Sequence, residues 1–161
     1  MSFRHQLATV IRKTPLLMRI PYYLYRFIQP KYSVGVIGVV VNAEREILLV
    51  EHVFHPTLPW GLPGGWIGFN EDPKETVARE IREELGLAIT VDELLIATRT
   101  EYHHLDFAFL CTPVGEVTTL SYELLGYEWV KRQNLPRIHG FHYRAVEAAF
   151  MMLEEKETVA S

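Results

Sequence analysis

Two runs rich in β-branched residues and leucine, Val34 to Val41 and Ile47 to Val53, flank the polar stretch Asn42-Ala43-Glu44-Arg45. Apolar runs of that length, bounded by turn residues, predict two strands joined as a hairpin. A Pro- and Gly-rich stretch from His55 to Gly65 reads as a loop, and then the apolar period changes. Val77, Ala78, Ile81 and Leu85 recur at helical spacing, which predicts a short helix that docks one arc on a core. Ile89 to Arg99, Leu105 to Pro113 and Tyr127 to Val130 predict further strands. Val146, Ala149, Phe150 and Leu153 within Phe141 to Glu155 predict a second core helix. Strands and helices in this order place residues 33–161 in the α/β (α+β) class, a mixed β-sheet sandwiched between helices.

Residues 1–32 follow a different pattern and predict a basic N-terminal helical arm. Arg4, Arg12, Lys13, Arg19, Arg26 and Lys31 stand there with no acid before residue 44. The net charge of −4 is therefore split into +6 over residues 1–43 and −10 over the rest. Leu16, Leu17, Ile20, Leu24, Phe27 and Ile28 need cover, from the domain, from a dimer partner, or from an anionic membrane or nucleic acid. Pro15, Pro21 and Pro30 interrupt any long amphipathic helix, which favours an arm packed on the domain or on a second copy.

Composition adds bounds. At 161 residues with 48% hydrophobic and 22% charged positions, the chain has the material for one ordinary globular domain. A lone Cys111 excludes an intrachain disulfide and a cysteine zinc cluster, so a reducing, cytoplasmic setting is expected. No apolar run reaches membrane-spanning length, and no clean signal-peptide core precedes a small-residue cleavage site.

The chemistry concentrates in residues 64–87. Asp72 reads as a helix N-cap, Pro73 as the first helical residue, Glu75 as the closing member of a capping box and Gly86 as a left-handed stop. Gly64 and Gly65 allow a turn that brings backbone close to a ligand. At 100° per residue Glu80, Glu83 and Glu84 share one arc beside the apolar one. Such carboxylates repel unless a hard, oxygen-seeking dication sits among them, so the pattern predicts a magnesium site, with manganese able to substitute.

The spacing Gly65-x5-Glu71-x7-Arg79-Glu80-Ile81-x-Glu83-Glu84-x-Gly86-Leu87 resembles a complete Nudix box, the motif of the Nudix hydrolase family. The resemblance implies the Nudix fold over roughly residues 33–150 and cleavage of a nucleoside diphosphate linked to another moiety, by water attack assisted by divalent ions. Carried onto this chain, it makes Glu80, Glu83 and Glu84 metal ligands, with the Gly64 carbonyl joining them and Arg79 orienting a box carboxylate through Glu71. Many members add a glutamate from a later loop. Glu123 fits that place best, with Glu128 and Glu101 as rivals, and the general base lies between Glu80 and Glu123.

The substrate is legible only as a class. Phe54, His55, Trp60, Trp66 and Phe69 flank the glycine turn and offer faces on which a base could stack, or core packing. Tyr102 and His104 follow a strand, about where some family members touch the non-nucleotide group. A small nucleotide (a nucleotide sugar, ADP-ribose, a dinucleotide or a nucleoside triphosphate) is the expected partner, without a stable nucleic-acid partner. A non-catalytic nucleotide-sensing module and an RNA 5′-end pyrophosphohydrolase are the alternatives.

Overall fold

The computed structural model describes residues 3–13 and 15–160. It divides into two compact units, residues 1–31 and 32–161. The first holds α1 (Phe3–Lys13) and α2 (Pro15–Ile28). Pro21 lies inside α2, so the expected interruption does not occur there. Its fixed φ suits a helix, and the loss of one backbone hydrogen bond is tolerated over these four turns. Pro15 instead starts α2, a position where a proline's missing N–H costs nothing.

The second unit runs β1 (Ser33–Val40), β2 (Glu46–His52), β3 (Trp60–Gly61), β4 (Gly64–Trp66), α3 (Pro73–Leu85), β5 (Ala88–Glu101), β6 (His104–Val114), β7 (Leu124–Lys131), a 3₁₀ turn at Arg132–Asn134, and α4 (Gly140–Ala160). The strands form a mixed four-stranded sheet, ordered β4-β1-β6-β5, and an antiparallel three-stranded sheet, ordered β3-β2-β7. β1 runs parallel to β6 from Ser33 opposite His104 to Val40 opposite Cys111.

The expected β1–β2 hairpin is reduced to its turn. Asn42 N–H donates to the Glu46 carbonyl at 3.0 Å, its side-chain oxygen accepts from Glu46 N–H at 2.8 Å, and Arg45 takes a left-handed φ of 60°. Beyond the single Val41–Ile47 bridge the strands part into different sheets. Both edges of β1 are already filled by β4 and β6, and both edges of β2 by β3 and β7, so neither has an edge left for the other. The stretch expected as an open loop before the box likewise supplies the two short strands β3 and β4.

Burial on both faces explains why β1 and β2 read as unbroken apolar runs. Ile37, Val39, Ile47 and Leu49 face α4, where Phe141, Ala145, Val146, Ala149 and Phe150 complete one cluster. Val36, Val40, Leu48 and Val50 face α3, with Val77, Ile81 and Leu85. Gly38 sets how closely α3 approaches, since a Cβ there would stand 2.7 Å from Ile81 Cδ1. Ile81 is wholly buried, so its truncation to alanine would cost about 2–5 kcal/mol.

Candidate active site

α3 is fixed at both ends by its own sequence. Asp72 is extended (φ −80°, ψ 141°) and its carboxylate accepts from Lys74 N–H at 2.8 Å, while Gly86 stops the helix at φ 61° with its N–H on the Arg82 carbonyl. The capping box is not closed: among the described residues Glu75 makes no return bond, and Thr76 instead donates its hydroxyl and its N–H to the Asp72 carbonyl.

The glycine turn is pressed against the helix and the sheet at once. A Cβ on Gly64 would come within 2.1 Å of the Val36 carbonyl oxygen, and one on Gly65 within 2.4 Å of Glu80 Cδ. Only glycines let β4 zip onto β1 with the Glu80 carboxylate lying over it. Gly64 also points its N–H at Glu84 Oε2, a long contact of 3.4 Å.

The three box acids differ in surroundings although they share an arc. Glu84 borders the apolar side of α3 and is buried, and that burial, with Glu80 and Glu123 adding negative charge, pushes its carboxyl up to about 7 against the pull of the Gly64 N–H. Glu80 is also raised by burial, opposed by Arg79. Glu83 is exposed. The Arg79 guanidinium spans all the acids in reach: Nε to Glu71 Oε1 at 2.8 Å, one terminal nitrogen to Glu71 Oε2 at 3.0 Å and Glu80 Oε1 at 2.9 Å, the other to Glu83 Oε2 at 3.0 Å. Glu71, bonded by Arg79, Gly68 N–H and the Thr76 hydroxyl, is held down to about 2.

Glu123 sits exposed in the turn before β7, its carbonyl accepting from Val53 N–H at 2.9 Å. Its charge adds to the rise of Glu84 and works against the burial and the His55 charge that lower His52, and it pushes the neighbouring Tyr122 phenol up. Glu128 lies on β7 opposite Leu49, exposed. Glu101 ends β5, and its side chain lies outside the described residues.

Among the described residues, no three His, Cys, Asp or Glu side chains are already gathered closely enough to hold an ion. Glu80 and Glu83 are turned to Arg79. The donor chemistry nevertheless fits a hard dication: every available group is an oxygen, and Glu84 is a buried acid whose neighbours Glu80 and Glu123 are also acidic.

Beside Gly64 and Gly65 opens a hollow of about 430 Å³ lined by His55, Tyr102 and His104, together with Trp66, Asp106 and His52. His104 is oriented at both nitrogens, Nδ1 to Ser33 Oγ at 2.7 Å and Nε2 to Asp106 Oδ1 at 3.1 Å, and its ring lies 4.8 Å from that of Trp66. Asp106 also accepts from the Thr100 hydroxyl. Phe54 and Trp60 line an adjoining hollow of about 320 Å³. Phe69 is fully exposed and lines neither. A larger hollow, about 860 Å³, between the β1–β2 turn and α4 contains no box residue.

Sequence reasoning missed what joins the two hollows: His52, His139 and His142 line both, with His55. The repeated His-x2-His spacing, 52–55 and 139–142, was the available signal. Leu62 N–H donates to His142 Nδ1 at 3.0 Å, and burial, with the other histidines nearby, lowers His142 to about 4. Among the described residues neither hollow is lined by a lysine or arginine.

A family model of the NUDIX domain matches residues 31–149. The chain belongs to the Nudix family. It is 36% identical over 102 residues to a MutT-like protein of Streptomyces ambofaciens, covering 63% of this chain and 65% of that one. It is 26% identical over 121 residues to an ADP-ribose pyrophosphatase of Methanocaldococcus jannaschii, covering 71% of each. The crystal structure of a MutT NUDIX hydrolase from Burkholderia pseudomallei superposes with a TM-score of 0.65 at 27% identity, over 73% of this chain and 98% of that one. The chain spans less than two thirds of the length of several relatives it matches.

Proposed function

We propose that the chain is a magnesium-dependent pyrophosphohydrolase that cleaves a nucleoside diphosphate linked to another moiety, in the cytoplasm. The observation that carries this reading is Glu84, a buried carboxylate on the same helical arc as Glu80, facing the Gly64 N–H at 3.4 Å. Glu80, Glu83, Glu84 and the Gly64 carbonyl would hold the ion, with manganese able to replace it. Held there, such an ion would supply charge neutralisation at the phosphate oxygens and a more acidic water. Glu80 or Glu123 takes the proton from the attacking water as the bond to the leaving phosphate breaks. Arg79, pinned by Glu71, fixes where Glu80 and Glu83 stand.

The aromatic and imidazole lining beside the turn supports a substrate whose second half is uncharged and ring-bearing, stacked on Trp66 or Tyr102 and held by His104, His55 and Asp106. Phe54 and Trp60 extend the same wall. Absence of lysine and arginine from that lining, among the described residues, weighs against an RNA-end substrate, which wants cations along its phosphates. The intact set of box acids weighs against a non-catalytic sensor. A panel of nucleotide sugars, ADP-ribose, dinucleotides and nucleoside triphosphates with magnesium and with EDTA tests the reading. Hydrolysis of none, or hydrolysis unaffected by EDTA, overturns it. Light scattering of the same preparation tests a homodimer.

A further inference from the structure

From the first unit alone, independently of the proposed chemistry, we infer that α2 is an interfacial anchor that lays this protein on anionic phospholipid. At 100° per residue, Ile20, Leu24, Phe27 and Ile28 fall within one arc of roughly 100°. Their exposures are 68%, 68%, 76% and 73%, far above what large apolar side chains keep without a function. Tyr23 and Tyr25 stand at the two borders of that stripe, both 61% exposed. Arg19 and Arg26, one heptad apart, project together from the far side.

Each feature points to the boundary between headgroup and acyl chain. Tyrosine prefers the plane where an apolar ring meets a wet hydroxyl. Arginines on the face opposite the stripe stand at the level of the phosphates and can pair with them. With 14 residues α2 is about 21 Å long, too short to cross the hydrocarbon, and among the described residues no helix is long and apolar enough to do so. The helix lies on the surface rather than through it.

Charge decides which surface. Arg4, Arg12, Lys13, Arg19, Arg26 and Lys31 are the only charged side chains of the unit, and among the described residues none of them is in an ion pair. Lys31 lies over the Phe27 ring at 5.6 Å, so a cation accompanies the apolar stripe at its C-terminal end. A neutral bilayer gains nothing from six cations, whereas a layer of phosphatidylserine or phosphatidylglycerol neutralises them. One modest apolar face plus a polybasic segment is the combination that gives reversible anchoring.

Flotation of the full chain with vesicles tests the inference, using phosphatidylcholine alone against phosphatidylcholine mixed with phosphatidylserine. Binding is expected to the mixed vesicles and not to the neutral ones, and it should fall roughly tenfold when salt is raised. Arg19→Glu with Arg26→Glu should abolish it, as should Leu24→Ser with Phe27→Ser, with hydrolysis of a soluble substrate unchanged in both. Circular dichroism of the arginine variant guards against a helix that has simply melted. If it has, Arg19→Gln with Arg26→Gln replaces it, and a helical variant that still floats overturns the inference. No flotation with mixed vesicles, equal flotation with both kinds, or an arm-dependent dimer by light scattering that persists with vesicles present would each overturn it.

Discussion

The Glu80 carboxylate occupies the space a side chain on Gly65 would need, with Glu80 Cδ 2.4 Å from the position of that absent Cβ. Gly65 is not at a positive φ, so alanine is allowed by the backbone and the conflict falls on the end of a flexible side chain. Gly65→Ala should therefore fold with near-normal thermal stability while turning Glu80 away. Displacements of about 1 Å in such sites cost on the order of a hundredfold in rate, and kcat should fall by about that much. Normal kcat would mean that the position of Glu80 does not matter to the reaction.

Glu83→Gln and Glu84→Gln should each lower turnover by roughly a hundredfold or more, since each removes a negative oxygen from the proposed ion site. Calorimetric titration with magnesium should show weaker binding in both. Near-wild-type rates in the pair would remove the carboxylates from the mechanism.

Glu123→Gln is expected to depress kcat far more than it changes KM, the pattern of an interaction made chiefly in the transition state. Glu128→Gln serves as the control on the neighbouring strand. A strong loss at 128 with little at 123 would reverse the assignment.

His142 provides a pH signature of the fold. Its value is lowered from 6.5 to about 4, so the unfolded chain takes up the proton first. Its contribution is complete above 6.5 and is lost as pH falls from there toward about 4, on the order of 2 kcal/mol for a partly exposed ring. In His142→Gln the amide oxygen can still accept from Leu62 N–H, and urea midpoints should decline less over that interval. Parallel decline in the two proteins would place the acid sensitivity elsewhere.

Deleting residues 1–30 should leave hydrolysis of a soluble nucleotide within about threefold of the full chain, because no metal-ligand pattern lies there and the domain has its own core. A truncated protein that stays folded and in its original quaternary state but loses all activity would tie the arm to catalysis.

The helix of the site was legible because its signals are local: Asp72, Pro73 and Gly86 mark its ends and Val77, Ile81 and Leu85 its buried side. Long-range pairings were not. Nothing near Val41 or Ile47 announces that β1 will take β6, some 70 residues away, as its parallel partner. His52, His139 and His142 stayed hidden for the same reason, since they join His55 only after β2 and α4 have packed. Pro21 misled by rule: proline disfavours a helix interior on average, and α2 accepts it. Glu84's burial was implicit in the angle that sets it next to Val77, but an acid arc drawn on a wheel does not distinguish its exposed edge from its covered one.

β1 is covered on both faces and paired along both edges, and β4, which carries Gly64 and Gly65, is zipped directly to it. Local opening frees amides in proportion to how little holds them, so the Val36, Val39 and Val40 amides should be among the slowest of the chain to exchange with deuterium. The glycine turn borrows that slowness. It sits on a loop by sequence, yet its backbone can come loose only with the strand beneath it, so heat should abolish turnover and unfold the domain in the same narrow interval.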